Sequence, residues 1–206
     1  MDNNIFTVEI PSSVANLQLP DPALLDYYRD RNERVHWLDG EVDDSTLDLV
    51  RAIIRYNKED EGLSAENRRP VKIFINTIGG DVQVMWSLIN AMKISVTPIY
   101  TIVYCNALSA GAHILAAGHK RFAMPGSTIL IHSGSCQYTG DAEKVESAKR
   151  YYDSIGKKAN DALLVDTHIT ARDLKRKGAS DWYIGAEDAV ALGIVDAIVS
   201  DLCEVM

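Results

Sequence analysis

Cysteine is scarce in this chain: three residues in 206, at positions 105, 136 and 203. The count is odd and no two form C-x-x-C, so neither a disulfide framework nor a cysteine-ligated zinc site is indicated, and a reducing compartment is expected. Apolar runs of membrane-spanning length are missing, and the opening MDNNIFTVEI has no basic stretch leading into an apolar core. A cytoplasmic, non-secreted protein with no membrane partner is therefore expected. Positive charge is in deficit, with 21 Lys and Arg against 29 Asp and Glu and a net charge of -8. No basic cluster interleaved with aromatics could follow a phosphate backbone, which argues against nucleic acid as a partner. The densest basic stretch, RDLKRKG at 172–178, reads as the end of a short helix, where cations complement the helix dipole. No G-x-x-x-x-G-K-[ST] loop occurs, so the chain is not expected to bind ATP itself.

What is present is apolar residue in sufficient amount, 47%, to bury one core. No internal repeat or low-complexity segment is visible. VHWLDGEV reads as a strand, and STLDLVRAIIRY as a helix behind a Ser45 cap, with Leu47, Val50, Ile53 and Ile54 on one face. The charged stretch 57–70 reads as a solvated loop. The same order then recurs. VKIFIN (71–76) is a buried-strand run broken by GGD, and Val82, Met85, Trp86 and Ile89 mark a helix face. IYTIVYC is another strand, with a helix beginning near Ser109. Strands alternating with helices imply parallel pairing, an α/β layered fold, and sites at the carboxyl ends of strands.

Downstream, Val145, Ala148, Tyr152, Ile155, Ala159 and Ala162 are spaced by three and four along a helix from Asp141 to about Val165. A helix this long exceeds what one small core needs. Its stripe either packs back on its own domain or covers another subunit, and periodicity leaves both open. TARD at 170–173 is a capping pattern. DWYIGAEDAVALGIVDAIVS gives a short strand, a helix from about Ala186 to Leu192 stopped by Gly193, and a last strand.

A serine hydroxyl becomes a nucleophile when it sits on an exposed sharp turn, beside a histidine base, with backbone N–H groups facing the developing oxyanion. Ser109 follows a strand, opens a helix, and has Ala107, Ala110, Gly111 and Ala112 as small neighbours. ALSAG half-matches the G-x-S-x-G elbow. The competing reading is an ordinary helix N-cap. Five histidines, at 36, 113, 119, 132 and 168, are candidate bases. His113 would lie one turn along the same helix, pointing away from substrate. His132 ends the strand TILI and heads an unobstructed loop, though such a residue is also common on ordinary surfaces. Gly79 and Gly80 end another strand, suiting either an oxyanion donor or a tight turn.

Taken together, FINTIGGDV, ALSAGAHILAAGHKRFAMPGSTILIH and DWYIGAEDAVALGIVDAIV resemble, in order and spacing, the three blocks of the ClpP family, the proteolytic subunit of the ATP-dependent Clp protease. The resemblance runs over roughly residues 25–200. It implies a ClpP/crotonase-like superhelix of ββα units, with residues 25–206 as one domain and residues 1–24 as an axial-pore segment containing Phe6, Val8 and Ile10. It implies an inserted handle helix over about 133–167 that interdigitates between rings.

By the same resemblance Ser109 is the nucleophile, His132 the base and Asp181 the orienting carboxylate, with Gly80 and Ala110 supplying oxyanion amides. No metal or cofactor is implied, ATP being used by the partner. The expected assembly is a tetradecamer of two stacked heptameric rings, fed unfolded polypeptides by a hexameric AAA+ Clp ATPase, as in protein quality control. The chain departs from the family where Asn76, Thr77 and Ile78 replace the usual Ser-Pro before the glycine pair, which bears on substrate preference, on uniform self-assembly and on ATPase docking. Three other readings are a weakly active structural subunit of a mixed ring, a crotonase-type acyl-CoA enzyme, and a cysteine hydrolase using Cys105 or Cys136.

Overall fold

Strand and helix alternate along the chain as the hydrophobic pattern requires. The structure, a computed structural model, describes residues 24–134 and 137–205. The segment bearing Phe6, Val8 and Ile10 lies outside the described residues, as does Cys136. The chain divides between Glu33 and Arg34. Before that division, helix α1 (Leu25–Glu33) buries none of its residues and carries a surface Arg29–Asp26 pair at 3.2 Å.

From Arg34 onward the elements are β1 (Val35–Val42), α2 (Leu47–Glu59), β2 (Val71–Gly80), α3 (Val82–Ile94), β3 (Ile99–Leu108), α4 (Ala110–Ala116), β4 (Lys120–Ala123) and β5 (Thr128–Ile131). Then follow α5 (Ala142–Asp166), α6 (Ala171–Lys177), β6 (Trp182–Gly185), α7 (Ala186–Ala191) and β7 (Ala197–Ile198). The strands form one sheet in the order β1-β2-β3-β4-β7, with β5 branching from β3 and β6 pairing β5. All these pairs are parallel except β5 with β6.

The central strands read as continuous apolar runs because both faces are covered. Alternation along β2 sends Ile73 and Ile75 into the core shared with Leu88, Met92 and Leu115 of the helices. Phe74 goes to the opposite face, with Val35 and Ile102. On that face Trp37 stacks on Phe74 with ring centroids 4.7 Å apart and stays half-exposed.

Three expectations need correction. The cap before α2 is Asp43, not Ser45: its side chain accepts from the Ser45 N–H at 2.9 Å and opens a short 3-10 turn, Asp44–Thr46. A carboxylate one residue upstream reaches the free N–H groups of that turn. In α2, Ile53 is buried as expected and Leu47 and Val50 pack partly buried against the core, but Ile54 is 63% exposed and the fully buried positions beside Ile53 are Leu49, Ala52 and Tyr56.

The stretch 57–70 is not wholly solvated either. Asp60 is 2% exposed and takes two hydrogen bonds from the Arg34 guanidinium, at 2.8 and 2.9 Å, plus one from Thr97 Oγ1 at 2.7 Å. The guanidinium holds the Asp60 carboxyl below its ordinary range.

Helix α5 runs 25 residues from its N-cap Asp141. Only its second half buries side chains in this chain, through Ile155, Ala159 and Leu163. In the first half Tyr151 and Tyr152 stay 51% and 37% exposed.

Candidate active site

Strand β3 is long enough to pair twice. Its first half runs beside β4, from Tyr100 to Val103, and its second half beside β5, with Leu108 opposite Leu130. Where β3 ends, the chain must turn at once into α4, and Ser109 absorbs that turn with φ 55 and ψ −117. For an L-residue this is a strained conformation, of the kind retained at functional sites when surrounding contacts fix it. Two such contacts are visible. The Ser109 N–H donates to the Leu130 carbonyl at 2.9 Å. Gly79 lies so close that a Cβ there would be 2.7 Å from the Ser109 Cβ and 2.8 Å from the Leu108 carbonyl oxygen.

Ser109 occupies the N-cap position but makes no side-chain capping bond. Its Oγ is instead 2.8 Å from His132 Nε2. The ordinary N-cap reading is thereby replaced: the hydroxyl caps no helix N–H group and meets the His132 ring instead.

His132 arrives there because it follows β5, whose register against β3 sets Leu130 beside Leu108. The antiparallel pairing of β6 sets Ile131 opposite Trp182, so Asp181, the preceding residue, comes beside His132. The Asp181 Oδ1 to His132 Nδ1 distance is 3.6 Å, with the two side chains 57% and 24% exposed. That is a charge contact, longer than a hydrogen bond. Lys177 sits over the Trp182 ring, 4.4 Å from its centroid, bracing the residue next to Asp181.

Ala110, the first residue of α4, carries a helix N-terminal N–H with no partner within its helix. Gly80, at φ +151, is hemmed by β1: a Cβ there would come within 2.8 Å of the Val42 nitrogen and closer still to its carbonyl. The glycine pair is thus required on both flanks, Gly79 by Ser109 and Gly80 by Val42. The Gly79 N–H donates to Thr77 Oγ1 at 3.1 Å, and that hydroxyl donates to the Gly40 carbonyl at 2.5 Å. Thr77 also packs its methyl against the space where a Gly111 side chain would be. This bracing role of Thr77 was not legible in NTIGG.

Three of the other histidines are engaged elsewhere. His36 Nε2 is 3.1 Å from the Tyr56 hydroxyl, His119 Nδ1 accepts from the Ile99 N–H at 2.8 Å, and the His168 ring packs against Gly193. His113 has a buried, unpartnered Nδ1, and burial, followed by nearby His132, pulls its pKa down to about 4. Cys105 is exposed at the end of β3, where it accepts from Asn106 at 3.3 Å. Among the described residues no group of His, Cys, Asp and Glu could hold a metal ion, and no helix is long and apolar enough to cross a membrane.

Beside His132 lies a feature not foreseen in the sequence, a cleft of about 500 Å³ between β5, α5 and α6. A serine hydroxyl in contact with the imidazole at the edge of such a cleft is an arrangement that can support acyl transfer.

The family model for Clp protease matches residues 26–201. This chain belongs to the Clp protease family. As a member it has the ClpP/crotonase-like α/β fold, and the family is one of serine-type peptidases. The matched region contains β1 through β7 and every residue of the site described above.

Proposed function

We propose that this Clp-family chain is a self-compartmentalising serine endopeptidase, with Ser109, His132 and Asp181 as its triad. The observation that carries the reading is the 2.8 Å contact between Ser109 Oγ and His132 Nε2 at a strained strand-to-helix turn. In the reaction Ser109 Oγ attacks a peptide carbonyl while His132 Nε2 takes its proton. The tetrahedral oxyanion is held by backbone N–H groups of Ala110 and Gly80, and His132 returns the proton to the leaving amine. Water, activated by the same imidazole, then hydrolyses the acyl-enzyme. Asp181 favours the imidazolium by charge and orients the ring. This chemistry needs no cofactor.

The assembly half of the proposal is supported by α5. Its exposed Tyr151 and Tyr152 lie on the half that buries nothing in its own chain, as a helix that interdigitates between stacked heptameric rings would require. Sites enclosed in such a tetradecamer need a hexameric AAA+ ATPase to deliver unfolded chains.

Treatment with a fluorophosphonate, read by intact mass beside cleavage of a fluorogenic peptide and native mass, tests both halves. One adduct on the wild type and none on Ser109→Ala, with peptide cleavage lost in the variant, is expected. The 3.6 Å gap between Asp181 and His132 favours one other reading, a weakly active subunit that gains a closed triad only in a mixed ring. A double ring that takes up no fluorophosphonate would establish that reading instead.

A further inference from the structure

The cleft beside His132 has an apolar floor and a charged rim. Ile131, Leu164 and Leu174 line its interior, and Lys157, Asp161 and Lys175 stand around it. The three charges are not equivalent. Lys157 and Asp161, one helical turn apart on α5, are paired at 2.6 Å and offset each other. Lys175, on the last turn of α6, has no ion pair among the described residues. The nearest carboxylate on its own helix, Asp173, is occupied in capping that helix, taking hydrogen bonds from the Thr170 N–H and hydroxyl. The cleft therefore carries one cation in excess, on a flexible stem at its edge.

We infer that this cleft receives the substrate side chain next to the scissile bond, and that Lys175 biases it toward a side chain with an apolar stem and an anionic end, glutamate above all. The inference rests on the serine-endopeptidase reading and adds the substrate preference of that site. A glutamyl side chain lays its methylenes on Ile131 and Leu174 and brings its carboxylate to the uncommitted ammonium. A neutral residue of the same size uses only the floor. A lysyl side chain meets Lys175 as a like charge and finds the one acidic residue of the cleft lining, Asp161, already engaged by Lys157. Because the lysine is solvent-exposed, the preference is modest, about two- to fivefold in kcat/KM for Glu over Gln.

The test uses the full chain and internally quenched peptides differing only at the residue whose carbonyl is cleaved: Glu, Gln, norleucine or Lys, with cleavage points located by mass. Glu is expected to exceed Gln by that factor and Lys to be poorest. The Glu/Gln ratio should shrink as salt rises from about 50 to 500 mM, since an exposed pair is screened. It should fall to one in Lys175→Met, reverse in favour of lysine in Lys175→Glu, and survive in Lys175→Arg.

Fluorophosphonate labelling of Ser109 is measured in parallel. A protein that labels and cleaves, but handles Glu and Gln equally in every variant, overturns the inference and leaves the peptidase reading standing. A ratio that persists unchanged in Lys175→Met overturns the role of Lys175. A protein that neither labels nor cleaves overturns both readings.

Discussion

Gly79→Ala and Gly62→Ala form a matched pair that isolates what the glycine behind Ser109 does. Both positions have positive φ, +96 at Gly79 and +82 at Gly62, so an alanine at either is conformationally strained. That strain is worth about 1–2 kcal/mol, or roughly 4 °C in Tm for a chain of this size. Their surroundings differ. A Cβ at Gly62 meets nothing within 4 Å, whereas at Gly79 it meets the Ser109 Cβ at 2.7 Å, the Leu108 oxygen at 2.8 Å and the Ala110 nitrogen at 3.1 Å. Two of those atoms are backbone, held by the β3 ladder and by α4, and to regain an ordinary contact the Leu108 oxygen must retreat by roughly 0.6 Å and the Ala110 nitrogen by roughly 0.3 Å. The displaced atoms are those that position Ser109 Oγ and the Ala110 N–H. Misplacement on this scale is expected to slow fluorophosphonate labelling by about a hundredfold. Gly62→Ala should lose the same first increment of Tm and label at the wild-type rate. Thermal melts and labelling time courses on the two variants check this. Equal labelling by Gly79→Ala and wild type would refute the claim that this glycine positions Ser109.

Ser109→Gly should abolish labelling yet raise stability by about 1 kcal/mol, seen as a Tm about 2–4 °C higher, because it relieves the strained turn. Asp60→Leu leaves the Arg34 guanidinium buried without its main partner and should cost about 3–5 kcal/mol in urea unfolding, whereas Arg34→Met combined with Asp60→Leu should recover much of it. His113 has a native pKa of about 4 against an ordinary 6.5, so between those values the unfolded chain binds the extra proton and stability falls as pH drops. That component is about 2 kcal/mol between pH 7.5 and pH 5. His113→Phe should remove it, flattening the urea midpoint over that range.

The layered fold was legible because its central strands are short apolar runs separated by helix periods of 3.6, the pattern of a parallel sheet covered on both faces. Caps were less legible. Asp43 and Ser45 are both good capping residues two positions apart, and only the start of the 3-10 turn at Asp44 decides which side chain meets the free N–H groups. The buried Asp60 was invisible for a different reason. Its partners Arg34 and Thr97 lie 26 and 37 residues away, and a carboxylate in a charged loop reads as solvated until such partners are known.

The site divides along the same line. Ser109 and His132 could each be proposed from local pattern, as a strand-to-helix turn with small neighbours and a strand-end imidazole. Asp181 could not be selected from 29 acidic residues without the family resemblance. What brings it to the imidazole is strand register, which local sequence does not display. Leu108 opposite Leu130 fixes where His132 emerges, and Ile131 opposite Trp182 fixes where Asp181 emerges. Strand side chains alternate faces, so a slip of one residue between β5 and β6 would turn Trp182 and its neighbours to the opposite sides of the sheet. That slip is opposed by burial, since Ile184 belongs to the same core as Ile131 and would have to leave it. The burial of Ile131 and Ile184 on two four-residue strands thus sets the register that brings Asp181 beside His132, so the geometry of the site depends on side chains packed in the core.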